Sequence, residues 1–277
     1  MSRVSVHALF DKATFTLTYV VWDELTRDAV VIDPVLDYDP ASKLISRGNL
    51  KRVVEFVRFK NLFVHWILDT HAHADHLSSA RELKSVFKHA QFGLSARMVH
   101  VLETFKKALA WPASLTIQRT HADRLLADGE EFTAGSLRLQ AIATPGHTAA
   151  CTTYRIGNKL FTGDTIFMPD SGVGRCDFPG GSAKDLYKSV SEKIFTLPDD
   201  FEVFVGHDYQ PGNRFLRYRT TVGQQRRDNV HLRIGVSLED FVKFREARDK
   251  TLNAPNLLEP SLDWNLGAHL CTRRPTI

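Results

Sequence analysis

Three imidazoles and a carboxylate fall within six residues in Thr70-His71-Ala72-His73-Ala74-Asp75-His76, directly behind the apolar run Val64-His65-Trp66-Ile67-Leu68. A chain leaving a buried strand presents alternate side chains on one side of the loop that follows. His71 and His73 can therefore converge on one ion while Asp75 and His76 face a neighbouring position. This is the spacing of metal ligands. A histidine-rich surface turn is the bland alternative, but it gives no reason for four such residues to follow a buried strand.

Three further places have the same form, an apolar strand running into a turn that carries a potential ligand. Leu137 to Ala143 alternates into Thr144-Pro145-Gly146-His147, Lys159 to Thr162 runs into Gly163-Asp164, and Glu202 to Val205 runs into Gly206-His207. A glycine before each candidate lets the backbone turn sharply without a Cβ clash, so the side chain can point into a shared cleft at the strand ends. Singly, each is weak, since a lone His after Pro-Gly is more often a solvated turn residue and Gly-Asp is a common turn dipeptide. Jointly, four strand ends supply five histidines and two aspartates, matching the demand of a one- or two-metal centre for imidazole nitrogen and carboxylate oxygen.

Together these residues resemble the metallo-β-lactamase superfamily, whose signature is His-x-His-x-Asp-His followed by a distant His, an Asp and a final His. The resemblance runs from Phe15-Thr16-Leu17-Thr18-Tyr19 and Val30-Val31-Ile32-Asp33-Pro34 to about Leu257. Within the superfamily the chain is most similar to the persulfide dioxygenases of the ethylmalonic encephalopathy protein type. The segments that carry this are Asp33-Pro34-Val35, the metal motif, Thr144-Pro145-Gly146-His147-Thr148 with Cys151, and Gly174-Arg175-Cys176-Asp177-Phe178. Ala183-Lys184-Asp185-Leu186-Tyr187 through Leu197-Pro198 and His207-Asp208-Tyr209 complete the pattern. The Arg-x-Asp-Phe block and the long helix separate this family from lactamases better than the metal residues do.

The resemblance implies an α/β fold, the metallo-β-lactamase-type αββα sandwich, with residues 1–277 as one domain and the metal cleft along one edge between the sheets. Segments 96–120 and 210–220 are then insertions and 257–277 a C-terminal tail; a helix through Met98, Val99, Val101, Leu102 and Phe105 could roof the cleft. The implied enzyme is a non-haem iron persulfide dioxygenase that oxidises a low-molecular-weight thiol persulfide, in first place glutathione persulfide, with O2 to sulfite and free thiol. One Fe(II) per chain is held by His71, His147 and Asp164. In the dinuclear hydrolases of the superfamily, two Zn(II) are held instead, one by His71, His73 and His147 and the other by Asp75, His76 and His207, with Asp164 bridging. All seven residues are present, so both arrangements stay open, and the alternative activity is thioester hydrolysis of the glyoxalase II type.

Asp75 and Tyr209 are the candidate catalytic side chains, Tyr209 as a hydrogen-bond donor beside the reacting sulfur. Glutathione carries two carboxylates, so the pocket should contain fixed positive charge. Arg175 matches the arginine of the family block, and its planar fork suits a carboxylate; its other use is an internal ion pair with Asp177 or Asp170. Arg214, Arg217 and Arg219, with Tyr218 among them, read either as a clamp for a more anionic carrier such as a coenzyme A persulfide or as a solvated basic face. Cys176 stands where the family usually has Thr, and Pro179-Gly180-Gly181 replaces a more polar stretch.

These residues need a frame to hold them. Phe15 to Trp22 and Ala29 to Ile32 read as two strands around a polar turn at Asp23 to Asp28, so the chain should open with a hairpin. Asn49 to Phe59 and Leu77 to Phe87 carry apolar residues at helical spacing. Ser182 with Asp185 resembles a capping box ahead of the stripe Leu186, Val190 and Ile194. Ser237 and Asp240 repeat that signal before a helix bearing Phe241, Val242 and Phe244. With 277 residues, 43% hydrophobic and 25% charged, the chain can bury a full core. A formal charge of +4 is too small and too dispersed to indicate nucleic acid. Three cysteines, Cys151, Cys176 and Cys271, make no disulfide framework and favour a reducing compartment. Without a signal core or a long apolar run, the expectation is a cytoplasmic enzyme with no membrane partner, and a homodimer at most.

Overall fold

The run Leu17-Thr18-Tyr19-Val20-Val21-Trp22 has apolar side chains on both faces, and a strand of that kind needs cover on both sides. The computed structural model, which describes residues 3–117 and 122–268, supplies it. Its elements begin with β1 (Val4–Phe10), β2 (Leu17–Asp23), β3 (Asp28–Ile32), β4 (Val35–Asp39), β5 (Leu44–Ser46) and α1 (Gly48–Phe59). Next come β6 (Phe63–Leu68), β7 (Leu77–Ser78), α2 (Ala80–Val86), β8 (Gln91–Ser95), α3 (Met98–Ala108), β9 (Arg124–Leu126), β10 (Glu131–Ala134), β11 (Leu137–Ala143), β12 (Thr152–Ile156) and β13 (Lys159–Phe161). The last are α4 (Ala183–Lys188), β14 (Glu202–Phe204), β15 (Arg219–Thr221), α5 (Val222–Asp228), α6 (Leu238–Asp249) and α7 (Leu258–Asn265). Cys271, the end of the 96–120 segment and the last part of 257–277 lie outside the described residues.

Two six-stranded sheets, ordered β1-β2-β3-β6-β8-β9 and β10-β11-β12-β13-β14-β15, pack face to face. Leu17, Tyr19, Val21, Ile32 and Leu68 from the first meet Phe132, Leu139, Tyr154 and Phe161 from the second. The other face of the first sheet, through Val20, Trp22, Val31 and Ile67, packs on α1, α2, α3 and α7. On the second sheet, Leu186, Val190 and Ile194 lie fully buried against the strands, each such burial worth about 1.5–3 kcal/mol. This is the αββα sandwich that the resemblance implies. The parallel neighbours β3–β6, β6–β8, β8–β9 and β13–β14 are joined by crossovers carrying α1, α2, α3 and α4.

Four local expectations change. The hairpin β2–β3 forms, but β1 precedes it and pairs antiparallel with β2; its half-buried, weakly patterned residues carry little local signal. Leu77 does not start a helix: Leu77 and Ser78 pair with Leu36 and Val35, which pins the exit of the metal loop, and α2 begins only at Ala80. The helix capped by Ser182, whose Oγ accepts from the Asp185 amide at 3.1 Å, widens into a π-helical turn over Ser189–Ile194. Finally, α3 does not roof the cleft; Met98, Val101, Leu102 and Phe105 are buried in the outer helical layer.

Opposite the metal edge, the sheets are clasped by Asp28. Its carboxylate accepts from the Ser136 amide in the β10–β11 turn at 2.8 Å and from His65 Nε2 at 2.6 Å. Burial opposes ionisation, yet these hydrogen bonds outweigh it and bring the Asp28 carboxyl down to about 2. A folded pKa below the unfolded one contributes stability that is complete above the unfolded value and lost as pH falls through the folded value. Asp28→Asn should therefore cost about 1–3 kcal/mol near neutrality, and the gap to the parent should begin to narrow below about pH 4. Urea unfolding of both proteins across that range checks it; a gap independent of pH would mean the carboxylate charge is not what holds the clasp.

Candidate metal centre

All four ligand-bearing turns leave their strands at the same edge of the sandwich. His71 to His76 follow β6, His147 follows β11, Asp164 follows β13 and His207 follows β14. Close backbone packing sets these turns. Gly163, at φ +49°, sits so near β6 that a Cβ would lie 2.3 Å from Thr70 Oγ1, and a Cβ on Gly146 would lie 2.4 Å from the Leu186 backbone of α4. A bridge between Thr16 and His207, with Leu17 N donating to Gly206 O at 2.9 Å, ties the two sheets together beside the site.

His71, His147 and Asp164 form one buried group whose ligand atoms lie within 4.8 Å of one another. His71 Nε2 and His147 Nε2 stand 3.9 and 3.7 Å from Asp164 Oδ2. Hydrogen bonding fixes which nitrogen of each ring is free. The Thr70 hydroxyl donates its proton to Asp33 Oδ2 at 2.9 Å, so at 2.9 Å from His71 Nδ1 it accepts, leaving Nε2 with a lone pair. His147 Nδ1 donates to the Arg175 carbonyl at 2.7 Å, which again frees Nε2. Burial, reinforced by His73, holds His71 well below the usual imidazole range and so favours its neutral, ligating form.

A second group, His73, Asp75 and His76, lies alongside; the His71 and His73 rings are 4.1 Å apart. His73 Nε2 donates to Asp33 Oδ1 at 3.1 Å, and His76 Nδ1 lies 3.4 Å from Asp75 Oδ1. His71 Nε2, His73 Nδ1 and His76 Nε2 are buried and have no hydrogen-bond partner. Orphaned imidazole nitrogens aimed into one acidic cluster are costly unless something binds them, and a divalent cation fits. His207 stands between the groups, with Nδ1 2.7 Å from Asp164 Oδ1 and Nε2 2.6 Å from Asp75 Oδ2. Burial opposes its charge, but Asp164 outweighs it and raises His207 well above the usual range, so it stands here as a cation shared by two carboxylates.

The first group opens into a cleft of about 420 Å³ walled by Phe15, Phe167, Phe178, Tyr209 and the segment Leu252 to Leu257. Tyr209 stacks on His207, their ring centroids 5.6 Å apart and the planes 3° from parallel. Arg175 reaches this cleft, but Nε and Nη2 both bond Asp177 at 2.6 Å and Nη1 bonds the Asn253 carbonyl at 2.7 Å. Its guanidinium is thus engaged within the chain, the second of the two uses open in the sequence. Neither Arg214 nor Arg217 lines the cleft. Arg214 is pinned between Asp170 and Asp208, at 2.5 and 2.7 Å, while Arg217 faces a separate surface hollow with Arg3 and Tyr218. Arg214 holds its loop because the Asp170 and Asp208 carboxylates face it, while Arg219 pairs with Glu202 at 3.2 Å.

Sequence reasoning missed four residues at the site. Asp33 and Thr70 orient the ligands; Thr70 directly precedes the motif, while Asp33 sits 37 residues earlier in the Asp33-Pro34-Val35 segment, to which no role was given. Arg245 and Arg248 line the cleft from α6. Arg245 is buried on the inward stripe with Phe241, paired to Asp249 at 2.6 Å; the i,i+4 spacing was the available signal. Arg248 is exposed and forms no ion pair among the described residues.

Similarity to known proteins agrees with this geometry. The chain is 43% identical to a Beta-lactamase hydrolase-like protein of Agrobacterium fabrum over 94% of its own length, and it spans 60% of that relative. Glyoxylase B2 of Dictyostelium discoideum is 38% identical, with 96% of this chain and 91% of the relative covered. The human mitochondrial persulfide dioxygenase ETHE1 is 31% identical, covering 87% and 80%. The crystal structure of ETHE1 from Myxococcus xanthus superposes with a TM-score of 0.76 at 31% identity, over 95% of this chain and 98% of that one. The sequence profile of the metallo-beta-lactamase superfamily matches residues 11–207, a span that begins before β2 and ends on the final histidine of the cluster. With that match laid over two packed sheets whose strand ends carry the ligands, the chain belongs to the metallo-beta-lactamase superfamily.

Proposed function

We propose that this protein is an iron-dependent dioxygenase acting on a low-molecular-weight thiol persulfide. The observation that carries the reading is the His71–His147–Asp164 group. Two imidazole nitrogens with fixed tautomers and one carboxylate oxygen share a face, as non-haem iron oxygenases require. The similarity to persulfide dioxygenases supports it. Held by these three residues, Fe(II) supplies a centre at which sulfur and dioxygen can be brought together. The persulfide with O2 and water then yields the thiol, sulfite and two protons, so the sulfur supplies its own electrons.

The chain's residues provide the surroundings. Phe15, Phe167 and Phe178 exclude water from the terminal sulfur. Tyr209, stacked on His207, lines the cleft beside the reacting sulfur, and His207 keeps its proton between Asp75 and Asp164. Because Arg175 is bound to Asp177 and Arg245 to Asp249, Arg248 is the cation left for a carboxylate of the thiol carrier. The second reading, hydrolysis of a glutathione thioester with two Zn(II), is favoured by the His73–Asp75–His76 group and by the hydrolase and glyoxylase names of more identical relatives.

Iron-loaded protein given glutathione persulfide should consume oxygen and release sulfite in equal amount. A flat oxygen-electrode trace, together with rapid hydrolysis of S-lactoylglutathione by zinc-loaded protein, would replace this reading with the second.

Substitution separates the two metal arrangements. Asp164→Ala should lose both iron and oxygen uptake, whereas Asp75→Ala should keep most of the iron. Metal analysis of both variants decides; loss of half the metal in Asp75→Ala with loss of all activity points to two ions.

For the carrier, Arg248→Ala should raise KM for glutathione persulfide about fivefold, the equivalent of about 1 kcal/mol for an exposed charge contact, with kcat little changed. Arg175→Ala should chiefly lower the thermal midpoint. Steady-state kinetics on the pair tests this, and the reverse pattern would return the clamp to Arg175.

A further inference from the structure

The metal loop is held by a residue far outside its own segment. Asn265, the last residue of α7, donates through Nδ2 to the carbonyls of His73 and His76, both at 2.9 Å, and accepts from the Ser78 amide at 2.8 Å through Oδ1. A carboxamide has two N–H donors and one oxygen acceptor, and all three functions are spent on one loop. The adjacent Trp264 adds an indole bond to the Ser78 carbonyl at 2.9 Å, and the Arg81 guanidinium reaches back to the Trp264 carbonyl. The platform beneath is firm, since Leu262 and Leu266 are buried in the outer core with Val57, Leu83 and Ile67.

His71 to His76 form no regular backbone ladder, so little within the loop itself sets the distance between its two ends. One amide gripping the carbonyls of His73 and His76 fixes that chord, and with it the angle at which their side chains approach each other. The constraint reaches the first group as well. Asp75, between the two gripped residues, bonds His207 Nε2 at 2.6 Å, and His207 Nδ1 bonds Asp164 Oδ1 at 2.7 Å.

We propose that Asn265 is a positioning residue of the metal centre, so that the C-terminal helix α7 sets metal affinity. Helix α7, within the segment that the sequence reads as a C-terminal tail, is then part of the site. The proposal rests on the metal centre alone and holds whether the centre carries one ion or two, and whether the reaction is oxygenation or hydrolysis.

The test uses the full chain loaded with Co(II) and follows its visible bands while a chelator is added. Asn265→Ala leaves two carbonyls unbound, and Asn265→Asp faces them with a carboxylate. Both should surrender Co(II) to about 10- to 100-fold less chelator, the range found when groups supporting metal ligands are removed, with altered band positions. Leu262→Ala is the control: it should lower the thermal midpoint while leaving the bands and the chelator midpoint at parental values. Parental chelator midpoints in both Asn265 variants would overturn the proposal. So would equal losses in Leu262→Ala and Asn265→Ala, which would mean that general docking of α7, not the amide, governs the metal.

Discussion

One buried carboxylate organises the metal motif. Asp33 leaves β3 in a left-handed conformation, at φ 50°, and there accepts from the Thr70 amide at 2.7 Å, the Thr70 hydroxyl at 2.9 Å and His73 Nε2 at 3.1 Å. By taking the hydroxyl proton it makes Thr70 an acceptor for His71, and by facing His73 it turns that ring's free nitrogen to the other side. Two ligands therefore present opposite nitrogens, Nε2 and Nδ1, to neighbouring positions because of a single acceptor. Its own place is set by Thr18, whose hydroxyl donates to the Asp33 carbonyl at 2.8 Å, and by the Asp33 amide bond to Leu68 at 2.9 Å. Removing one partner of a buried charge costs about 3–5 kcal/mol, so the loop cannot relax without losing the tautomer pattern.

Charge in the cleft follows a second constraint. The chain carries 36 Lys and Arg against 32 Asp and Glu, yet the arginines nearest the site are largely spent on local carboxylates. Arg175 with Asp177, Arg214 with Asp170 and Asp208, and Arg245 with Asp249 hold turns and the roof segment in place. A paired guanidinium at a cleft wall stiffens the wall but offers little net field to a ligand. In the proposed reaction, recognition of an anionic carrier would fall on the exposed Arg248 and on the shape that the segment from Leu252 to Leu257 imposes.

The C-terminal quarter thus has two tasks that the profile match over residues 11–207 does not cover. Helix α6 and the segment after it close the cleft, and α7 grips the metal loop. Members of one superfamily can share the ligand cluster while the cleft walls differ, so the fold alone does not determine the reaction.

The sequence by itself determined the ligand inventory and the strand ends that carry it, because alternation in a strand and glycine before a turn are local, period-two signals. It also determined the capped helices, whose serine and aspartate lie one turn apart. Where the local pattern was weak it misled: β1 is half-buried throughout, and Leu77 sits in a helical stripe but is captured by β4. Only the tertiary structure decided which arginines remain free and what supports the metal loop. Arg214 meets Asp170 across 44 residues, and Asn265 meets His73 across 192. Hydrogen bonds and ion pairs of that range depend on how sheets and helices stack, and stacking is a collective outcome of burial that no short stretch of sequence encodes.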